Sequence, residues 1–192
     1  MNVLMAGVGG QGILFVTGLL AHMAVQRGWP VAACETHGMA QRGGSVISHL
    51  KLNQRPAAPL IRQGRADLLL GLNEDEGLRH VGHLRRRGSL LLEKGRGKSS
   101  GPAMRRYLKS MEIRVGVVPA VSAALEMGYP LGANLVILGA ASAAGWLPFS
   151  PEEMERALEK LSKRALLEKN LQSLRLGFEM GRNGLMQKGA PS

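Results

Sequence analysis

A six-residue run near the start of the chain, Gly7-Val8-Gly9-Gly10-Gln11-Gly12, limits the available folds more than any other feature. The apolar residues 2–6 precede it. Residues 13–26 follow, with apolar side chains at helical spacing that close at Arg27 and Gly28. A short apolar run, a glycine turn and an amphipathic helix read as strand, loop and helix. Residues 29–35 read as a second apolar strand, which completes a βαβ unit. Gly7, Gly9 and Gly12 satisfy the G-x-G-x-x-G spacing that brings backbone close to a phosphate at a helix N-terminus. Glu35, ending the second strand, stands where an acid can meet a ribose hydroxyl. The same glycines equally serve a tight turn with close packing, and Gly10 and Gln11 are foreign to an ordinary dinucleotide loop. Spacing alone leaves both readings open.

The alternation continues along the chain. Residues 45–52 place Val46, Leu50 and Leu52 on one face and Ile47, His49 and Lys51 on the other. That pattern predicts a half-exposed, antiparallel strand with His49 at the surface. Residues 67–72, 88–93 and 111–118 read as further strands, with a short helix near residues 74–81. Residues 121–127, 134–145 and 152–178 carry helical spacing. Asn134 reads as a helix N-cap, and Ser150-Pro151-Glu152-Glu153 as a helix start. Strands alternating with helices predict a three-layer α/β/α fold with a mostly parallel, Rossmann-like sheet. The expected organisation is one domain over residues 1–180, helical from about residue 120, with a flexible tail at 181–192.

With 45% hydrophobic residues in 192, the chain can bury one core, and with only 4% aromatics that core must rest on aliphatic side chains and Met. A single cysteine, Cys34, cannot form an internal disulfide or hold an iron–sulfur cluster on four thiolates; within an apolar strand it reads as an inert core thiol. The start lacks the basic and apolar regions of a signal peptide. Residues 131–147 fall short of the roughly 18 clean apolar residues of a membrane span, so a cytoplasmic protein without membrane contact is expected. The net charge of +11 admits an acidic protein, a phosphate-bearing ligand or nucleic acid. Stacking aromatics and recognition motifs are missing, which disfavours nucleic acid. Gly95-Arg96-Gly97-Lys98-Ser99 fails as a P-loop because the required first glycine falls at Leu92.

The segment Glu35-Thr36-His37-Gly38-Met39-Ala40-Gln41-Arg42-Gly43-Gly44-Ser45-Val46 is neither periodic nor of low complexity. Following the second strand, it belongs at the carboxyl end of the sheet, where ligands and partners of open α/β folds bind. Together with the first glycine loop it resembles the signature pair of the gamma-type domain of 2-oxoacid:ferredoxin oxidoreductases. Pro59-Leu60-Ile61, Ala66-Asp67-Leu68-Leu69-Leu70, Glu76-Gly77-Leu78-Arg79, residues 134–139 and Glu168-Lys169-Asn170-Leu171 extend the resemblance to about Phe178. Within the family, a free-standing chain of this size is most similar to the small subunit of indolepyruvate-type enzymes.

The resemblance implies a subunit of a complex that oxidises a 2-oxoacid with coenzyme A as co-substrate, giving an acyl-CoA, carbon dioxide and reduced ferredoxin. It implies that thiamine diphosphate, magnesium and iron–sulfur clusters sit on a larger partner subunit, that this chain binds no cofactor or metal alone, and that it is inactive in isolation. The sequence agrees: its only aspartates are Asp67 and Asp75, and it has no Gly-Asp-Gly and no Cys-x-x-Cys. Gly7, Gly9, Gly10, Gln11, Gly12 and Glu35 then form a ligand or partner edge, and His37, Gln41, Arg42, Gly43, Gly44 and Ser45 contact the partner or coenzyme A. The Arg42 fork suits a carboxylate or a phosphate. His37 is a structural hydrogen-bonding residue or an acid/base, which geometry must decide. No residue is expected to be catalytic. Two other readings stay open: a stand-alone NAD- or FAD-binding module, and a basic nucleic-acid-binding protein. An isolated subunit with an uncovered apolar interface is also expected to be able to form a homodimer.

Overall fold

The computed structural model describes residues 1–38, 43–53, 58–95 and 101–185. Strand β1 (Asn2–Val8) leads through the glycine loop into α1 (Ile13–Gln26), then β2 (Val31–His37) and β3 (Ser45–Leu52). Next come β4 (Ala66–Gly71), α2 (Glu74–Arg79), β5 (Leu84–Glu93), α3 (Pro102–Ser110) and β6 (Arg114–Val118). Helices α4 (Ala120–Glu126), α5 (Ala133–Ala143), α6 (Pro151–Leu161) and α7 (Leu167–Arg182) complete the chain. The six strands lie in the order β2-β3-β1-β4-β5-β6. β3 runs antiparallel to both of its neighbours, and the β1–β4, β4–β5 and β5–β6 ladders are parallel. Five strands therefore share one direction, as expected, and β3 is the antiparallel exception that its alternating pattern predicts.

Alternation along the central strands sorts side chains onto two cores. Val3, Met5, Leu68 and Leu70 face one side and pack with α1, α5, α6 and α7. Leu4, Ala6, Leu69, Leu90 and Leu92 face the other and pack with Ile61, Val81 and Leu108 of α3. Three layers result. Gly177 of α7 fits against the Val136 carbonyl of α5, where a Cβ would collide with backbone, so these two helices pack at close range. Among the described residues no helix is long and apolar enough to cross a membrane.

Several local expectations are corrected. β3 inserts between β1 and β2, so β2 is the edge strand and Cys34 is half-buried there, outside the core. Burial raises the Cys34 thiol pKa, with the Lys51 charge opposing. His49 is buried, not at the surface, because the loop carrying Ile61 covers that face of β3. Asn134 sits inside the first turn of α5 and donates from its side chain to the carbonyls of Gln11 and Gly12; Gly132 holds the cap position. The 152–178 segment is two helices parted at Ser162 and Lys163, with a 3₁₀ turn at Arg164–Leu166. Ser150 does start α6, through a reciprocal capping box with Glu153. α3 was hidden behind a glycine–serine stretch. α7 continues to Arg182, into the expected tail, and residues 186–192 lie outside the described residues.

The glycine loop is shaped by contacts as well as by φ. Gly10 and Gly12 have φ of 96° and 74°, and a Cβ on Gly12 would collide with the Asn134 amide, whereas one on Gly10 would meet nothing within 4 Å among the described residues. Gly10→Ala should lower stability by about 1 kcal/mol from backbone strain, and Gly12→Ala by about 2–4 kcal/mol from strain plus collision. Urea unfolding of both variants checks the ranking, and equal losses would mean the α5 contact is unimportant.

Candidate functional site

Because β3 is antiparallel, its first residue, Ser45, lies at the same end of the sheet as Val8, His37, Gly71, Glu93 and Val118, the last residues of the other strands. The two glycine-bearing loops meet there. The Gly9 N–H donates to the Gly44 carbonyl at 2.9 Å, and the Gly38 N–H donates to the Ser45 carbonyl at 2.7 Å. The second bond ties the end of β2 to the start of β3; the residues between them, 39–42, lie outside the described residues, and Gln41 and Arg42 are among these. Gly43 has a φ of 67°, a left-handed conformation that favours glycine.

Much of the first loop's hydrogen-bonding capacity is used internally. Gln11 Oε1 accepts the Val8 N–H at 2.8 Å, the Gln11 N–H donates to the Val8 carbonyl, and Gln11 Nε2 donates to the Leu72 carbonyl at 3.0 Å. With Gly9 donating to Gly44, the amides of Val8, Gly9 and Gln11 all have protein acceptors. A phosphate cradle needs such amides turned outward. Gln11 is a brace for the turn, which is why it stands where a dinucleotide loop has no such side chain.

Glu35 does not join this edge. It pairs across from Ser48, which itself faces Met5, so it lies two strands and about 10 Å from β1 and short of its end. The expected acid-to-ribose geometry fails because β3 occupies the place next to β1. Glu35 instead sits 3.5 Å from the exposed His37 ring, an ion pair when that ring is protonated.

Three carboxylates that were not among the expected site residues line the same end of the sheet. Glu76, buried in α2, accepts from Ser45 Oγ at 2.6 Å and pairs with Arg79, so it anchors the start of β3. Glu74 opens α2 and packs where a Cβ on Gly95 would stand. Glu93 ends β5 and accepts the Val121 N–H at 3.1 Å, which ties β5 to α4. Glu93 ends one buried strand, and Glu74 and Glu76 open the helix that follows another; that was the available signal. Burial raises the Glu93 pKa to about 7 against the opposing hydrogen bond from Val121, with the Glu74 charge adding to the rise.

Beside Glu76 lies a group of histidines. The His49 and His83 rings are 6.1 Å apart and those of His80 and His83 5.8 Å. His49 Nδ1 accepts the Ile61 N–H at 3.1 Å, a bond that an imidazolium cannot make. Burial, then the neighbouring His83, His80 and Lys51, lowers the His49 pKa to about 4. Burial and His83 also lower that of His80, with Glu76 opposing.

Opposite pH dependences follow. The folded pKa of Glu93 is raised, so its contribution is full below about 4.5 and is lost as pH rises through 7, a loss of about 3 kcal/mol. The folded pKa of His49 is depressed, so its contribution is full above 6.5 and is lost as pH falls towards 4. Stability curves from pH 4 to 8 should flatten on the alkaline side in Glu93→Gln and on the acid side in His49→Gln. Unchanged slopes in both would contradict these assignments.

Comparison with known proteins agrees with this architecture. Residues 2–180 match the family model described as pyruvate ferredoxin/flavodoxin oxidoreductase. The chain is 32% identical over 195 residues to indolepyruvate oxidoreductase subunit IorB of Archaeoglobus fulgidus, covering 96% of each chain. It is 29% identical to 2-oxoglutarate synthase subunit KorC of the same organism, covering 95% of this chain and 88% of that one. The crystal structure of the keto/oxoacid ferredoxin oxidoreductase gamma subunit of Geobacter sulfurreducens superposes with a TM-score of 0.71 at 23% identity, covering 94% of this chain and 97% of the other. At that identity the likeness speaks for the fold.

Proposed function

The chain belongs to the pyruvate ferredoxin/flavodoxin oxidoreductase family and is a subunit of an oxidoreductase complex, and on that premise we propose that it is the small subunit of an indolepyruvate-type enzyme, acting by docking onto a larger partner. The partner carries thiamine diphosphate, magnesium and the iron–sulfur clusters. The complex oxidises an arylpyruvate with coenzyme A and passes the electrons to ferredoxin. Identity to the Archaeoglobus indolepyruvate oxidoreductase subunit over nearly all of both chains supports this substrate class over 2-oxoglutarate.

The observation that carries the docking role is the Gly9-to-Gly44 hydrogen bond, which fuses the two glycine-bearing turns into one rim. Around it stand Leu14, 56% exposed in the first turn of α1, and Leu131, 68% exposed just before α5. The Asn134 amide joins those two helix starts through Gln11 and Gly12. Apolar side chains exposed around a rigid polar rim suit burial against another subunit. His37, Gln41, Arg42, Gly43, Gly44 and Ser45 meet the partner beside its active site, and Arg42 pairs with a partner carboxylate or a coenzyme A phosphate. The internally used loop amides disfavour a stand-alone NAD or FAD module.

The test is reconstitution with the larger subunit, assaying dye reduction with indolepyruvate and 2-oxoglutarate in the presence of coenzyme A. The chain alone should show no turnover and no flavin spectrum, and the complex should favour indolepyruvate. Arg42→Ala should reduce turnover by about tenfold or more, the scale of one charge-assisted contact. Turnover by the isolated chain, or wild-type activity and association of Arg42→Ala, would contradict the assigned roles.

A further inference from the structure

The second half of α1 and the facing side of α6 enclose a cleft of about 230 Å³, lined by His22, Gln26, Arg27, Glu153, Arg156 and Lys160 among others. Measured along α1, His22 is about 15 Å from Gly12, so the cleft does not belong to the glycine-loop rim.

Its charge is unbalanced for a structural reason. Arg27 and Glu153 neutralise each other: Arg27 Nε and Nη2 donate to the Glu153 carboxylate at 2.6–2.9 Å and Nη1 donates to the Pro148 carbonyl at 2.8 Å. The guanidinium also lies 4.8 Å from the Trp29 ring and 4.9 Å from that of Phe149, which fixes it as a rigid wall. Arg156 and Lys160, one turn apart on α6, both line the cleft and are exposed. Like charges at that spacing repel. Glu152 and Glu153 feel the Arg156 charge, but Glu153 is already engaged by Arg27. Counting the lining, three cations face one carboxylate. His22, on the α1 wall, adds a buried Nε2 without a hydrogen-bond partner among the described residues.

We infer that the α1–α6 cleft binds a small phosphate-type dianion. Two exposed cations on α6 and the Gln26 amide on the facing wall approach an occupant from two sides, with His22 lining the cleft beside them. That suits a tetrahedral, multi-oxygen anion more than a planar carboxylate. The volume admits a single phosphoryl group with a small attached moiety.

The test is titration of the full chain with inorganic phosphate at constant ionic strength, followed by ¹⁵N–¹H NMR of the His22 and Gln26 side chains and by melting temperature. Saturable shifts of both side chains and a rise in melting temperature are expected. The double variant Arg156→Gln/Lys160→Gln should bind about tenfold or more weakly. An α3 double variant, Arg106→Gln/Lys109→Gln, removes the same net charge and should bind like wild type. Absence of saturable shifts overturns the site. So does equal weakening in both double variants, which would mean non-specific charge, and so does succinate binding as tightly as phosphate, which would mean a carboxylate site.

Discussion

The antiparallel strand β3, wedged between β1 and β2, is the constraint on which the rest of this structure depends. A crossover from β1 through α1 would ordinarily set β2 beside β1 and place its terminal acid near the glycine loop. Here that position is occupied by a strand running the other way. Its first residues therefore arrive at the carboxyl end of the sheet, and Gly44 meets Gly9 there. One topological choice converts a potential nucleotide crevice into a rim built from two tied turns.

The rim is held from below by polar contacts that leave little slack. Glu76 fixes Ser45, Gln11 fixes Val8 and Leu72, and Asn134 fixes the carbonyls at the start of α1. Buried polar groups of this kind stabilise only when matched; here Asn134 Nδ2 is matched, while its Oδ1 has no partner among the described residues. A rigid rim with exposed leucines beside it loses little conformational freedom when a partner covers it, which favours association. Glu93, His49 and His80 beneath carry perturbed pKa values chiefly because they are desolvated. Glu93 ties β5 to α4 and His49 ties β3 to the loop carrying Ile61, so the perturbation of these two reflects their structural role.

Much of this was legible in the sequence. The apolar runs of β1, β4 and β5 and the glycine loop gave strand, turn and helix with small boundary errors, because burial on both faces leaves a continuous apolar signal. The alternation of residues 45–52 marked β3 as antiparallel. Its place in the sheet was not legible, since strand order depends on contacts distant in sequence, and the misplacement of Glu35 followed from it. His49 was misjudged because a pattern shows which face a residue takes but not whether a distant loop covers that face. Asn134 resembled a cap by its position, but its side chain serves Gln11 and Gly12, more than 120 residues away. α3 went unseen because glycine and serine precede it and its exposed face is strongly basic. The family resemblance rested on the two glycine-bearing motifs, and these are the segments that meet in space.

Backbone amide hydrogen exchange, measured on the chain alone and again with the proposed larger subunit added, probes the rim most directly. Slowed exchange concentrated in the amides of residues 8–14, 43–46 and 131–134 is the result expected if the tied turns are the docking surface. Protection confined to α6 and α7, with the glycine-bearing turns exchanging as fast as before, would contradict it.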